Sequence, residues 1–145
     1  MAWELRQRGY DVTAMPFAAH DGIGYDGTAC WQLDGTDWFN GSELRLLTGT
    51  KVAFEKSVKE EFDKWGDGSR AIVRVGWDSD HGGGGHFFSA RREGDKIVYE
   101  DPQAGTVRDI GGTLANCTRD SGELWILKVD DRNLTDLVKE AVTNA

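Results

Sequence analysis

Cysteine is scarce in this chain of 145 residues, which holds only Cys30 and Cys117. Two thiols do not make a disulfide framework, and no Cys-x-x-Cys pair supplies a zinc-binding spacing. A reducing compartment is the default expectation. Positive charge is also in short supply, because 17 Lys and Arg face 25 Asp and Glu for a formal net charge of -8. Nucleic-acid binding draws its affinity from Lys and Arg that neutralise phosphates, so a nucleic-acid partner is not expected. The local pairs Arg6/Arg8 and Arg91/Arg92 read as a solvated helix face and a turn flank. Long apolar runs are missing too. No segment offers the roughly 20 apolar residues that a membrane-spanning helix needs, and Trp3-Glu4-Leu5-Arg6-Gln7-Arg8 puts charges where a signal peptide needs an apolar stretch. A soluble protein without a membrane partner is expected.

What is present is a globular composition, 39% hydrophobic and 29% charged with six Trp and six Phe. A single domain over residues 1–145 is expected, since domains of about 100–150 residues bury enough surface to fold unaided. Ala2 to Arg8 are good helix formers that stop at Gly9. Tyr10 to Pro16 reads as a short extended segment ending at a proline. Phe17 to Gly49 is rich in Gly, Asp, Asn and Thr without a dominant period and is expected to be irregular, a layer of loops anchored by Trp31, Trp38 and Phe39. Phe54, Val58, Phe62 and Trp65 then form one apolar stripe, which predicts a helix over about Thr50 to Trp65 packed on a sheet. Alternating residues predict strands at Ala71 to Trp77, His86 to Arg91, Ile97 to Asp101 and Leu124 to Val129, with a hairpin at Glu93-Gly94-Asp95. A closing helix is expected where Leu134, Leu137, Val138, Ala141 and Val142 share a face. The fold class is therefore α+β: an N-terminal helix against an antiparallel sheet, a second amphipathic helix and a C-terminal helix.

Chemistry concentrates on two residues. His86 opens a strand after Gly82-Gly83-Gly84-Gly85, and Asp101 ends the next strand across the hairpin, so both belong to one end of the sheet. An Asp that accepts a hydrogen bond from one imidazole nitrogen fixes the tautomer and frees the other nitrogen to take a proton from a nucleophile. A histidine at a strand start is also common for structural reasons alone. Other groupings are weaker. Asp78, Asp80, His81 and His86 lack a ligand spacing and read as a solvated glycine loop. Asp63-Lys64-Trp65-Gly66-Asp67-Gly68 begins like a calcium loop, then puts Arg74 where the bidentate Glu belongs. The four glycines lack the Lys-Ser/Thr context of a phosphate loop. No metal and no cofactor is expected.

Gly84-Gly85-His86-Phe87-Phe88-Ser89-Ala90 followed by Tyr99-Glu100-Asp101-Pro102-Gln103-Ala104-Gly105 resembles the His and Asp-Pro-Gln blocks of the papain-fold toxin family. These are glutamine-deamidase-like domains of bacterial polymorphic toxins, with relatives in bacteriophage head proteins. Ala2 to Val12 is similar to the helix that opens the same domains. The resemblance implies a papain-like fold, a protein substrate or protein partner, a homo- or hetero-oligomeric assembly, and a site built from His86, Asp101 and Gln103, with Gln103 orienting the site or contacting substrate.

The family's nucleophilic Cys sits at the start of the opening helix, a few residues before the position of Trp3, where the helix and an imidazolium favour the thiolate. Here Met1 stands in that region. Cys30, in Gly27-Thr28-Ala29-Cys30-Trp31, precedes His86 and Asp101 in the family's order, but Asp34-Gly35-Thr36 would break a helix behind it, and a buried inert thiol is the plain alternative. Cys117 follows the Asp block and reads as structural. Two functions follow as expectations. The one expected first is a nucleophile-less, inactive relative kept for binding or structure, for example a virion component. The other is a protein-glutamine deamidase or cysteine peptidase whose Cys lies upstream of Met1 or is Cys30.

Overall fold

A computed structural model of the chain describes residues 2–14, 39–40, 45–49, 51–76, 85–102, 105–108, 122–131, 133–134 and 142–144. The chain groups into two compact units, Met1–Glu43 with Asp131–Ala145, and Leu44–Asp130.

In the first unit, helix α1 spans Ala2–Gln7. Its end is closed by backbone hydrogen bonds. The Gly9 N–H donates to the Arg6 carbonyl at 2.9 Å and the Tyr10 N–H to the Leu5 carbonyl at 3.1 Å. This paired pattern needs a left-handed residue after the last turn, and Gly9 has φ of 84°. The Arg8 guanidinium lies 5.9 Å from the centroid of the Tyr10 ring, a cation-π contact. Strand β1 follows at Val12–Ala14, and β2 is the short Phe39–Asn40.

The second unit carries β3 (Arg45–Gly49), helix α2 (Lys51–Trp65), β4 (Arg70–Gly76), β5 (Gly85–Glu93), β6 (Lys96–Asp101), β7 (Thr106–Arg108) and β8 (Gly122–Lys128). The six strands form one antiparallel sheet in the order β3-β8-β4-β5-β6-β7. Alternation decides its faces. Ala71, Val73 and Val75 are buried while Arg70, Ile72, Arg74 and Gly76 between them are half-buried, as a period of two requires. The apolar stripe of α2 meets the buried face. Phe54, Val58 and Phe62 form one core with Ala71, Val73, Val75, Phe88, Ala90, Tyr99, Leu124 and Ile126, and Leu47, Trp65 and Ile97 pack on its margin.

The hairpin between β5 and β6 turns on two residues, since Glu93 pairs with Lys96. Gly94 has φ of 58°, which is the conformation that a two-residue hairpin loop demands.

Three expectations need correction or lie elsewhere. The stretch from Phe17 to Gly49 is not wholly irregular, because β2 and β3 fall within it; a run as short as Leu46-Leu47-Thr48 shows too little alternation to be read without its partner β8. Trp31 and Trp38 lie outside the described residues. The closing helix is corrected at both ends. Asn133–Leu134 is strand β9, paired with β2, and Val142–Asn144 is strand β10, paired with β1. Apolar spacing in that segment fits a helix, but pairing with strands more than 90 positions earlier prevails, as β-branched Val142 and Thr143 favour. Leu137, Val138 and Ala141 lie outside the described residues.

Candidate active site

His86 enters on the second residue of β5, where the ladder sets it beside Val75 of β4. Asp101 is the last residue of β6. The register of β5 with β6 pairs Ser89 with Glu100, and one further step along it puts Phe88 opposite Asp101. Opposite residues share a face, as do residues two apart on a strand. His86, Phe88 and Asp101 therefore point to the same side of the sheet as Val73, Val75 and Tyr99, the side that α2 covers.

The two side chains meet. His86 Nε2 and Asp101 Oδ2 are 2.7 Å apart, a charge-assisted hydrogen-bond distance. The Asp101 side chain is 1% exposed and that of His86 20%. An ionised carboxylate only accepts, so Nε2–H donates to Oδ2, and in the neutral ring Nδ1 then carries the lone pair. The partly exposed imidazole is thus anchored on its buried side by a group that holds its tautomer. Chemically, such an arrangement can serve as a base with an orienting acceptor behind it.

An aromatic residue that the sequence offered only as part of an alternating strand also belongs here. The Phe88 ring stacks near His86 with centroids 6.5 Å apart and planes at 27°, and Tyr99 meets Phe88 edge-on at 5.9 Å and 66°. The one available signal was its position two residues after His86 in a strand. Gln103, Cys30, Cys117, Asp78, Asp80 and His81 lie outside the described residues.

A shallow depression of about 440 Å³ lies at the other end of the sheet, lined among others by Arg70, Arg91, Arg92 and Asp67. Its guanidinium groups are engaged in ion pairs: Arg70 and Arg91 with Glu100 at 3.7 and 3.3 Å, Arg91 also with Glu93, and Arg92 with Asp63 at 2.7 Å. The basic pair Arg91/Arg92 is therefore part of a structural network.

An antiparallel sheet backed by a helix on one face, with a His-carboxylate pair at one strand end, has the make-up of a papain-like α+β fold. The family described as papain fold toxin 1, glutamine deamidase, matches residues 2–106. That is well over half of the chain, and the chain belongs to this family. The matched range takes in Cys30, His86, Asp101 and Gln103 and leaves out Cys117. No curated protein and no solved structure gives a significant match. Among the described residues, no helix is long and apolar enough to cross a membrane.

Proposed function

We propose that the chain is the base-bearing part of a protein-glutamine deamidase, with His86 as general base and acid, Asp101 as the acceptor that orients it, and Gln103 as a neighbouring substrate or site contact. The observation that carries this reading is the 2.7 Å pair between His86 Nε2 and an Asp101 side chain that is 1% exposed. A buried carboxylate is costly unless it is paired, and here its partner is the one side chain suited to proton transfer near neutral pH. In the reaction, Nδ1 takes the proton of a thiol, and the thiolate attacks the glutamine carboxamide carbon. The C–N bond then breaks and ammonia leaves with the proton returned by the imidazolium. Water, deprotonated by the same nitrogen, opens the thioester to give a glutamate side chain and the free thiol.

The thiol is the open component. Cys30 is the candidate within the matched range, and a segment preceding Met1 is the other source. A second reading turns on that open component, since the six residues of α1, Ala2–Gln7, hold no thiol themselves. In that reading the fold is kept for binding a protein partner or for a structural role such as a virion component.

One assay separates the two. Ammonia release from a glutamine-rich protein, with the accompanying mass increase of the product, is measured for the chain, for His86→Ala, for Cys30→Ser and for the chain extended by a short Cys-containing N-terminal segment. The deamidase reading expects turnover in the unextended or the extended chain, lowered about 10²–10⁴-fold by His86→Ala. Turnover lost in Cys30→Ser assigns Cys30. No turnover in any form, with the fold intact, leaves the binding or structural role.

A further inference from the structure

The imidazole of His86 hangs on a torsion that its backbone does not decide. The Cβ–ring bond joins an sp³ to an sp² centre, with a broad and roughly two-fold profile. A flip about it puts Cε1 where Nε2 stood, and so takes away the hydrogen bond to Asp101 that fixes the tautomer. The hydrogen bond to Asp101 favours one orientation, but a side chain that is 20% exposed also needs contact on a ring face to stay in it.

Phe88 provides that contact from a position adjoining both members of the pair. It lies two residues from His86 along β5 and, by the extended register, across the ladder from Asp101. Its ring stacks with the imidazole at 6.5 Å and 27°, inside the range in which aromatic pairs attract. Phe88 cannot itself turn freely, because Tyr99 meets it edge-on at 5.9 Å and both belong to the core.

We propose that Phe88, backed by Tyr99, is the positioning residue of the His86–Asp101 pair. Its ring holds the imidazole plane in which Nε2–H meets Asp101 Oδ2 and Nδ1 is kept as the proton-exchanging nitrogen. Phe88 touches no reacting atom; it acts through His86. The use made of that nitrogen rests on the deamidase reading, whereas the orientation does not.

The test reads the tautomer directly and needs no turnover. In protein carrying ¹⁵N-labelled histidine, long-range ¹H–¹⁵N spectra distinguish a protonated from a lone-pair ring nitrogen, and His86→Gln identifies the His86 signals among the three histidines. The wild-type neutral ring is expected to show Nε2–H alone. Phe88→Leu is expected to shift both nitrogens toward the average of two tautomers, with the fold preserved by circular dichroism; Phe88→Met, unbranched and better able to fill an irregular gap, replaces it should the first variant fail to fold. A folded Phe88→Leu or Phe88→Met with the unchanged Nε2–H pattern overturns the proposal, and so does a wild-type ring that already populates both tautomers. A protein with the ordered tautomer but no deamidation retires the deamidase reading and leaves this one standing.

Discussion

Arg92 joins three parts of the second unit through one guanidinium. Its Nη1 donates to the Phe62 carbonyl at 2.9 Å and to Asp63 Oδ1 at 2.7 Å, and its Nε donates to the Gly94 carbonyl at 2.8 Å. A cation at the last turn of α2 satisfies a carbonyl there and opposes the negative end of the helix dipole. Asp63 accepts from Lys59 at 2.7 Å as well. The Lys59 hydrogen bond is the largest influence on its carboxyl; burial opposes it, and the charges of Lys59 and Arg92 with the Arg92 hydrogen bond leave the carboxyl below its ordinary value of 3.8. A carboxyl depressed in the folded state stabilises the fold above its unfolded value, and that contribution disappears as pH falls through the folded value. Asp63→Asn is therefore expected to lower the urea midpoint at neutral pH, with the gap from wild type closing under strongly acid conditions. Urea titrations of both proteins across the acid range check this, and a gap that stays constant with pH would show that the ion pairs contribute nothing. Glu61, buried nearby, is met by Arg45 at 2.7 Å and Lys64 at 2.8 Å, so its charge too enters the core already paired.

Among elements, α2 is the one on which the sheet depends. Phe54, Val58 and Phe62 have no exposed surface at all, and Phe62 also meets the Trp65 ring at 5.1 Å and 67°. Removing the Phe62 ring takes away its burial and leaves a cavity between α2 and the sheet. Phe62→Ala is expected to destabilise the protein by about 3–5 kcal/mol, as measured by chemical denaturation. A change of a few tenths would mean that the stripe does not form the core. The partner elements show how short strands are held. β3 has no periodicity of its own to speak of, yet Arg45 to Gly49 pair with Ile126 to Gly122 in unbroken register.

For the whole molecule, charge is the main lever on association. The net charge of -8 repels polyanions, and Arg45, Arg70, Arg91 and Arg92 are all in ion pairs with carboxylates. No retardation of double-stranded DNA at physiological salt is expected in a gel-shift titration; a shift that weakens steeply with added salt would reveal a basic surface that net charge conceals. As for what could be read in advance, local and short-range features were legible. The stripe of α2, the Gly94 hairpin and the alternation of β4, β5 and β6 are periodic patterns in neighbouring residues. Counting back from that hairpin was enough to bring His86 and Asp101 to one sheet end, because the turn sets the register. Long-range pairing was not legible. β1 with β10, β2 with β9, and β3 with β8 join segments far apart in sequence, and the segment expected to close the chain as a helix ends instead in a strand whose partner no local pattern names. Phe88 was visible as a strand residue but not as the neighbour of both site residues, since that requires the face and the ladder together. The sequence by itself determined which side chains are candidates for the chemistry and where the core-facing stripes lie, because these follow from residue type and period. Only the tertiary structure decided the strand order, the 2.7 Å approach of Nε2 to Oδ2 and the ring stacked beside it, because each depends on contacts between residues that the chain alone does not hold together.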